Sequence, residues 1–233
     1  MTVADEPRGP TLTGADRAFV AFACGLVPAV NLVIAVHWYD AIVEANLAAY
    51  VASIVKWTLL GGGALVLGPR GGMSWEDLYL HVRDSLIVRR PGSALASAVL
   101  FVVVVNLAVL PRFAAAYDAL GLPPFAAPYL TMPGTALGRI VGLLCGCSAA
   151  AGSEILYRGY LRVLAERYFR RWWVAAVVVS AVFGWAHAFY GLYGALYTGL
   201  NGLAFALLAR ATGCLYVVIL AHMLFDLMVF ALG

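Results

Sequence analysis

Charged residues are scarce in this sequence of 233 residues. Only 12% of the residues are Asp, Glu, Lys or Arg, whereas 64% are hydrophobic. A soluble domain carries about 25% charged residues, so this chain cannot cover a surface that faces water. The basic residues also form no contiguous basic face, which excludes binding of nucleic acid. The composition therefore indicates a membrane protein and leaves no room for a second, soluble domain.

The sequence also lacks a disulfide framework and the start of a secretory signal peptide. Its four cysteines all fall inside apolar runs, which indicates buried thiols. The first residues are polar and carry charges of both signs, without the basic start and apolar centre of a signal peptide. We expect residues 1–17 to form a short cytoplasmic tail.

Seven apolar runs are long enough to form membrane-spanning helices, which need roughly 20 apolar residues each. Proline or glycine lies at the breaks between most of them. The sequence therefore predicts an all-α fold, a polytopic transmembrane helical bundle of about seven spans that occupies residues 18–231. The predicted spans are 18–38, 45–67, 92–110, 136–158, 172–190, 193–209 and 213–231.

The loops predict how this bundle is oriented. If the N-terminus and alternate loops lie on one side, that side receives nearly all the loop arginines, and the other side receives only Arg112. Cytoplasmic loops are enriched in Arg and Lys. We therefore expect a multi-pass protein of the cell membrane with a cytoplasmic N-terminus and an external C-terminus. Apolar residues at helical spacings in loop 70–90 predict an amphipathic helix on the cytoplasmic face.

Ionisable residues inside the spans are candidates for function, because an unpaired charge is costly at bilayer depth. Lys56 and Arg139 stand alone in their spans, and snorkelling or helix pairing explains them. The others lie on three helices, each with a partner four residues away on the same helical face. These pairs are Glu154 with Arg158, Phe183 with His187, and His222 with Asp226.

The three pairs supply the groups that peptide hydrolysis requires, provided that they meet. A turn near residues 170–171 would bring Glu154 and His187 to comparable depths in antiparallel helices. A carboxylate beside an imidazole can deprotonate water, and a second imidazole can stabilise an oxyanion. Arg158 would keep Glu154 ionised, and Phe183 could pack against His187. The structural alternative is that each pair only forms an ion pair or an interhelical hydrogen bond.

Two other uses of these residues stay open on the sequence alone. Glu154, His187 and His222 could bind a divalent metal such as zinc, although the compact H-E-x-x-H motif is absent. Without such a metal, no cofactor is expected. Buried Glu and His also serve proton relays in transporters, although the chain has no repeated halves.

The three pairs resemble the motifs of the CAAX-protease and bacteriocin-processing family, the CPBP or Abi proteins, which are glutamic intramembrane proteases. The family motifs E-E-x-x-x-R, F-x-x-x-H, and H-x-x-x-N or H-x-x-x-D correspond in order to residues 153–158, 183–187 and 222–226. The similarity covers about residues 136–230, where we expect the peptidase core.

This resemblance implies an intramembrane endopeptidase that hydrolyses a peptide bond with an activated water. Its partners would be membrane lipid and a peptide or membrane-protein substrate that can carry a lipid. The implied catalytic residues are Glu154 and His187 at the water and His222 and Asp226 at the oxyanion, with Ser153, Arg158 and Phe183 in support.

The sequence departs from the family pattern at Ser153. This serine stands where the family has the glutamate that is usually assigned as the water activator, and a serine is not a base at neutral pH. Glu154 points about 100° away around the helix. Ser153 could instead act as a nucleophile with His187 as its base. The alternative function is a non-catalytic family member that acts in binding or in bacteriocin-type immunity.

Overall fold

The computed structural model describes residues 12–37, 46–82, 85–122 and 134–232. These residues are helical apart from short connections, and no strand occurs among them. The predicted all-α fold is therefore confirmed. The α-helices are α1 (Gly14–Ala21), α2 (Val27–His37), α3 (Asn46–Arg70), α4 (Leu86–Arg89), α5 (Pro91–Val104), α6 (Leu110–Ala119), α7 (Ala136–Glu154), α8 (Arg162–Phe169), α9 (Trp172–Trp185), α10 (Gly191–Thr212) and α11 (Leu215–Leu232).

Wider or tighter helical turns join several of these helices without a break. The π-helical segments Phe22–Leu26, Val105–Val109 and Ile155–Leu161 link α1 to α2, α5 to α6 and α7 to α8. The 3₁₀ turn Ala188–Tyr190 precedes α10. The segment Ile155–Leu161 directly follows Glu154, and π-helical turns are frequent at functional sites.

Within the described residues, the long apolar helices match the predicted spans. Five stretches are long and apolar enough to cross a membrane, and two shorter apolar helices cover the remaining predicted runs. Leucines on the outside of the bundle, such as Leu59, Leu100 and Leu107, are 66%, 63% and 76% exposed. Lipid can solvate these side chains, whereas water cannot. The chain is therefore a multi-pass membrane protein.

The turn predicted near residues 170–171 is present. Arg170 adopts a left-handed conformation with φ of 56° and ends α8. Helix α9 begins at Trp172 and returns through the bundle. This turn makes the helix that carries Glu154 an antiparallel neighbour of the helix that precedes His187.

The predicted amphipathic helix in loop 70–90 is wrong. Residues 71–82 form turns and irregular chain, with Tyr79 in a left-handed conformation, and α4 is the only helix among the described residues of this loop. Two backbone carbonyls of this loop accept hydrogen bonds from α8. Arg162 donates to the carbonyl of Asp77, and Arg167 donates to the carbonyl of Gly71. These bonds hold the loop against α8 instead of allowing it to close its own helix.

Two glycines let helices approach closely beside the candidate site. A Cβ atom at Gly152 would lie 2.3 Å from the carbonyl oxygen of Trp57, so α3 and α7 touch backbone to backbone. A Cβ atom at Gly184 would lie 2.4 Å from the carbonyl oxygen of Ala195, which fixes α9 against α10. Both contacts lie within three residues of a motif residue.

Candidate active site

The three motif segments converge on one buried cluster. Nδ1 of His222 on α11 lies 2.7 Å from Oε1 of Glu154 at the end of α7, which joins residues 68 positions apart. The ring of Phe183 on α9 lies 4.7 Å from the ring of His187 and 6.3 Å from that of His222. The structure thus brings one pair from each motif to a common place.

Glu154 is completely buried and is held on both sides. A carboxylate only accepts hydrogen bonds, so Nδ1 of His222 donates to Oε1. Oε2 lies 3.3 Å from Nε of Arg158, which is 2% exposed. Charge-assisted contacts of this kind offset the cost of burying the carboxylate. Glu154 is therefore an anion fixed between a histidine and an arginine.

Arg158 lies in an aromatic enclosure that compensates its charge. The guanidinium carbon is 4.2 Å from the ring centre of Phe183 and 5.6 Å from that of Phe205, and such contacts attract cations to ring faces. Nη1 and Nη2 of Arg158 and Oε2 of Glu154 are buried without a hydrogen-bond partner in the protein. Groups of this kind commonly bond to internal water, so this pair can hold water.

His187 lies in the turn after α9 and not inside a helix, as the predicted span 172–190 required. Nδ1 of its ring lies 2.8 Å from the carbonyl oxygen of Phe183, while its backbone N–H bonds to Gly184. In a continuing α-helix, the carbonyl of Phe183 would accept a hydrogen bond from the backbone N–H of His187. Here that carbonyl accepts from the His187 ring instead, and the backbone N–H bonds one residue later, to Gly184, which forms a tighter turn. Because a carbonyl only accepts, Nδ1 carries the proton, and the neutral ring has its lone pair on Nε2.

Asp226 and His222 form the more open side of the cluster. Oδ1 of Asp226 lies 3.6 Å from Nε2 of His222, and the two side chains are 24% and 12% exposed. The His222 ring stacks on Phe205, with ring centres 4.8 Å apart. The stack and the Glu154 bond fix the imidazole, so Nε2 faces Asp226.

Ser153 is buried, and its side chain bonds within its own helix. Its hydroxyl donates to the carbonyl of Ala150, 3.3 Å away in the same helix. No hydrogen bond joins Ser153 to His187 or His222 in the described part of the chain. This geometry does not favour Ser153 as a nucleophile with His187 as base.

The suggested metal ligands are not arranged around a common point among the described residues. Oε1 of Glu154 and Nδ1 of His222 bond to each other, so neither atom is directed at a shared ion. Across residues 12–37, 46–82, 85–122 and 134–232, no group of three or more His, Cys, Asp or Glu side chains is arranged to hold a metal. The zinc alternative with Glu154, His187 and His222 stays a prediction.

Comparison with known families agrees with this cluster. Residues 135–228 match the family model described as Type II CAAX prenyl endopeptidase Rce1-like. This segment is an Rce1-like domain. It contains all three motifs, which confirms the family that the sequence motifs indicated. No curated protein and no solved structure matches the chain significantly.

The Rce1-like domain contains site neighbours that sequence reasoning missed. Phe205 stacks on His222 and lies under Arg158, but an aromatic residue in an apolar span carries no signal of its own. Lys56 on α3 precedes this domain in the chain, and its neighbour Trp57 touches Gly152 through its carbonyl. The sequence did mark Lys56 as unusual, because it is the lone cation within its predicted span.

The predicted boundary between a cytoplasmic tail at residues 1–17 and a transmembrane domain at residues 18–231 stays a prediction.

Proposed function

We propose that this chain is a membrane-embedded endopeptidase that hydrolyses a peptide bond with an activated water. The observation that carries the proposal is the Glu154–His222 bond of 2.7 Å beside His187. This bond joins a carboxylate and an imidazole from two helices, and the ring of Phe183 contacts the rings of both His187 and His222 inside an apolar bundle. The match of residues 135–228 to the family model described as Type II CAAX prenyl endopeptidase Rce1-like supports this chemistry.

In the proposed reaction, His187 acts on the water. Nε2 of His187 takes one water proton, while Oε2 of Glu154 accepts a hydrogen bond from the same water. The water oxygen then attacks the peptide carbonyl carbon and forms a tetrahedral oxyanion. The proton on His187 passes to the nitrogen of the leaving amine as the carbon–nitrogen bond breaks. The new carboxylic acid then releases the second water proton to the amine, so the products are a carboxylate and an ammonium group.

His222 and Asp226 serve the oxyanion in this proposal. Because Nδ1 of His222 donates to Glu154, Nε2 carries a proton only in the imidazolium form, which the neighbouring carboxylates of Glu154 and Asp226 favour. In that form Nε2–H donates to the developing negative charge. Asp226 strengthens this donor as a carboxylate, and as a carboxylic acid it can donate directly. Arg158 and Phe183 hold Glu154 and His187 in place. No cofactor takes part.

The substrate and orientation belong to the same proposal. The substrate is a peptide or membrane protein, with or without an attached lipid, that enters the site from the bilayer. The arginine-rich side of the bundle is cytoplasmic, so the N-terminus lies inside and the C-terminus outside. Nucleic acid is not a partner.

A second candidate function rests on Ser153. Its hydroxyl is bound to its own helix, so the position of the family's water-activating glutamate holds no base. A domain that retains the cluster but hydrolyses nothing would bind a peptide or a membrane protein, as in bacteriocin-type immunity. The two functions differ in a single measurable property, which is peptide cleavage.

Cleavage of prenylated and transmembrane peptides by the purified chain in detergent tests the proposal. We expect His187→Ala to lower the rate about 100-fold or more, because a general base contributes roughly that factor. His81→Ala is the matched control, since His81 lies outside the three motifs, and it should cleave like the unaltered chain. Equal cleavage by His187→Ala would refute the proposal.

Replacement of Ser153 by glutamate separates the two candidate functions. Under the endopeptidase proposal the unaltered chain cleaves, and Ser153→Glu changes its rate. A silent unaltered chain that gains cleavage as Ser153→Glu would establish the non-catalytic alternative. Ser148→Glu is the control, because the Ser148 hydroxyl also bonds to a carbonyl three residues earlier in α7 and lies outside the motifs.

A further inference from the structure

A buried hydrogen bond joins the apolar helical stretch Gly14–Ile34, called the first membrane helix, to the segment that follows Glu154. The hydroxyl of Tyr160 donates to Oδ1 of Asp16 over 2.6 Å, across 144 positions of the chain. Asp16 is 4% exposed, and Tyr160 is completely buried. A buried carboxylate is costly unless its oxygens are bonded, and a hydrogen bond from a hydroxyl to a carboxylate is stronger than one between neutral groups.

The two oxygens of the Asp16 carboxylate make separate contacts. Oδ2 accepts hydrogen bonds from the backbone N–H and the hydroxyl of Thr13, at 3.0 Å and 2.7 Å, which closes a capping box at the start of α1. Oδ1 is not needed for this cap and bonds to Tyr160. Capping of α1 therefore explains one oxygen of Asp16 and leaves the bond to Tyr160 as an independent tertiary contact.

An aromatic contact reinforces this bond about one turn further along α1. The ring of Phe19 lies 5.6 Å from the ring of Tyr160 in an edge-to-face arrangement. A Cβ atom at Gly63 on α3 would lie 2.6 Å from the Phe19 ring, so this glycine leaves the space that the ring occupies. Phe19 thus lies between α3 and Tyr160, and α1 makes both a polar and an aromatic contact with the same tyrosine.

Tyr160 belongs to the segment that carries a partner of Glu154. This segment, Ile155–Leu161, is π-helical and begins directly after Glu154. It also contains Arg158, whose Nε lies 3.3 Å from Oε2 of Glu154. Side chains in a π-helical turn point in different directions from those in an α-helix, which is the commoner form. The contacts of Tyr160 therefore help to determine the form of this segment and the direction of Arg158.

We propose that Asp16 and Tyr160 are positioning residues of the endopeptidase. Their bond fixes the π-helical segment and, through it, the contact between Arg158 and Glu154. This inference rests on the proposed function, because it assigns two further residues to the same site. It also makes the first membrane helix, which precedes the matched residues 135–228, a necessary part of that site.

Removal of the Tyr160 hydroxyl tests this assignment in the full-length chain. We expect Tyr160→Phe to lower kcat for a prenylated peptide about tenfold or more with KM unchanged, because a displaced Glu154 impairs the reaction and not the binding of the peptide. Asp16→Ala should also lower kcat. Adding Tyr160→Phe to Asp16→Ala should lower kcat no further, because both changes remove the same bond.

Tyr216→Phe is the matched control for loss of a tyrosine hydroxyl. The Tyr216 hydroxyl donates to the carbonyl of Leu80 over 3.1 Å and also joins distant parts of the chain, but Tyr216 lies outside the three motifs. This variant should keep kcat unchanged, even where denaturant unfolding shows that it is destabilised as much as Tyr160→Phe. An unchanged kcat in Tyr160→Phe, or an equal fall of kcat in both variants, would overturn the proposal.

A spectroscopic measurement tests the same assignment without cleavage. The sequence has four histidines, so a chain labelled with nitrogen-15 histidine in micelles gives few imidazole signals, and His222→Gln assigns the signal of His222. Because Nδ1 of His222 bonds to Glu154, displacement of this carboxylate changes the signal. We expect Tyr160→Phe to shift it and Tyr216→Phe to leave it in place. An unshifted His222 signal in Tyr160→Phe would count against the positioning role.

The two measurements separate this inference from the proposed function. A shifted His222 signal in Tyr160→Phe, together with no cleavage by the unaltered chain, would support the positioning of Glu154 and remove only the endopeptidase. Cleavage by the unaltered chain, together with an unshifted signal and an unchanged kcat in Tyr160→Phe, would retain the endopeptidase and overturn the positioning role.

Discussion

At the scale of single residues, Glu154 decides whether the cluster holds together. It is the anion shared by Arg158 and His222, and its side chain is inaccessible to solvent. Removing one member of a buried charge network leaves the others uncompensated. The same residue therefore governs both the stability of the bundle and the orientation of His222.

Substitution of Glu154 should destabilise the folded chain strongly. We expect Glu154→Ala to lower the free energy of unfolding by about 3–5 kcal/mol, because Arg158 loses its counter-ion in apolar surroundings. Glu76→Ala is the control, since Glu76 is exposed, and it should stay within about 0.5 kcal/mol. Denaturant unfolding in mixed micelles measures both values. Equal stability of the two variants would contradict the account of the buried network.

The sequence identified much of the cluster at this scale, for a physical reason. The spacing of four residues places Glu154 with Arg158, and His222 with Asp226, on single helical faces. It could not show that Glu154 bonds to His222, because that contact joins different helices. It also could not show that His187 leaves the helix, because this depends on one bond from its ring to the Phe183 carbonyl.

At the scale of helices and loops, the contact at Gly152 positions the motif helix. The backbone of α3 lies where a side chain at Gly152 would project. Any Cβ atom there must push α3 away and, with it, Lys56. The close approach of two helices through small residues is common in membranes, because it maximises packing where water exerts no hydrophobic force.

Gly152→Ala should separate α3 from α7. We expect a loss of about 1–3 kcal/mol in unfolding free energy, which is typical of overpacking, together with weaker peptide cleavage. Gly62→Ala provides the comparison, because a Cβ atom at Gly62 meets nothing within 4 Å. That variant should be neutral or more stable by up to about 1 kcal/mol. A stable and fully active Gly152→Ala chain would show that the contact is looser than described.

The sequence predicted the apolar helices well at this scale and the loop 70–90 poorly. Long apolar runs leave little choice in a bilayer, where backbone groups must bond within the helix. In the loop, the apolar spacing came from residues such as Trp75, Leu78 and Val82. Leu78 is buried in an irregular chain, whereas Trp75 and Val82 are 50% and 58% exposed. The spacing of apolar residues alone cannot show that arginines from another helix bind the carbonyls of this loop, and these bonds hold it in an irregular conformation.

At the scale of the whole molecule, the arginine distribution predicts the orientation in the membrane. Reporter fusions test it directly. We expect alkaline phosphatase to be active when fused after the C-terminus and inactive when fused after residue 72, whereas a fluorescent protein should show the opposite pattern. The two fusion sites serve as each other's control. Active phosphatase after residue 72 would reverse the proposed topology.

The central claim is that the Glu154, His187 and His222 cluster hydrolyses a peptide bond with water. The most direct measurement is mass spectrometry of the products after the purified chain acts on a prenylated peptide in water enriched in oxygen-18. The account predicts cleavage with one heavy oxygen in the new carboxylate, and neither cleavage nor label with His187→Ala. An intact peptide, or labelled product formed equally well without His187, would contradict it.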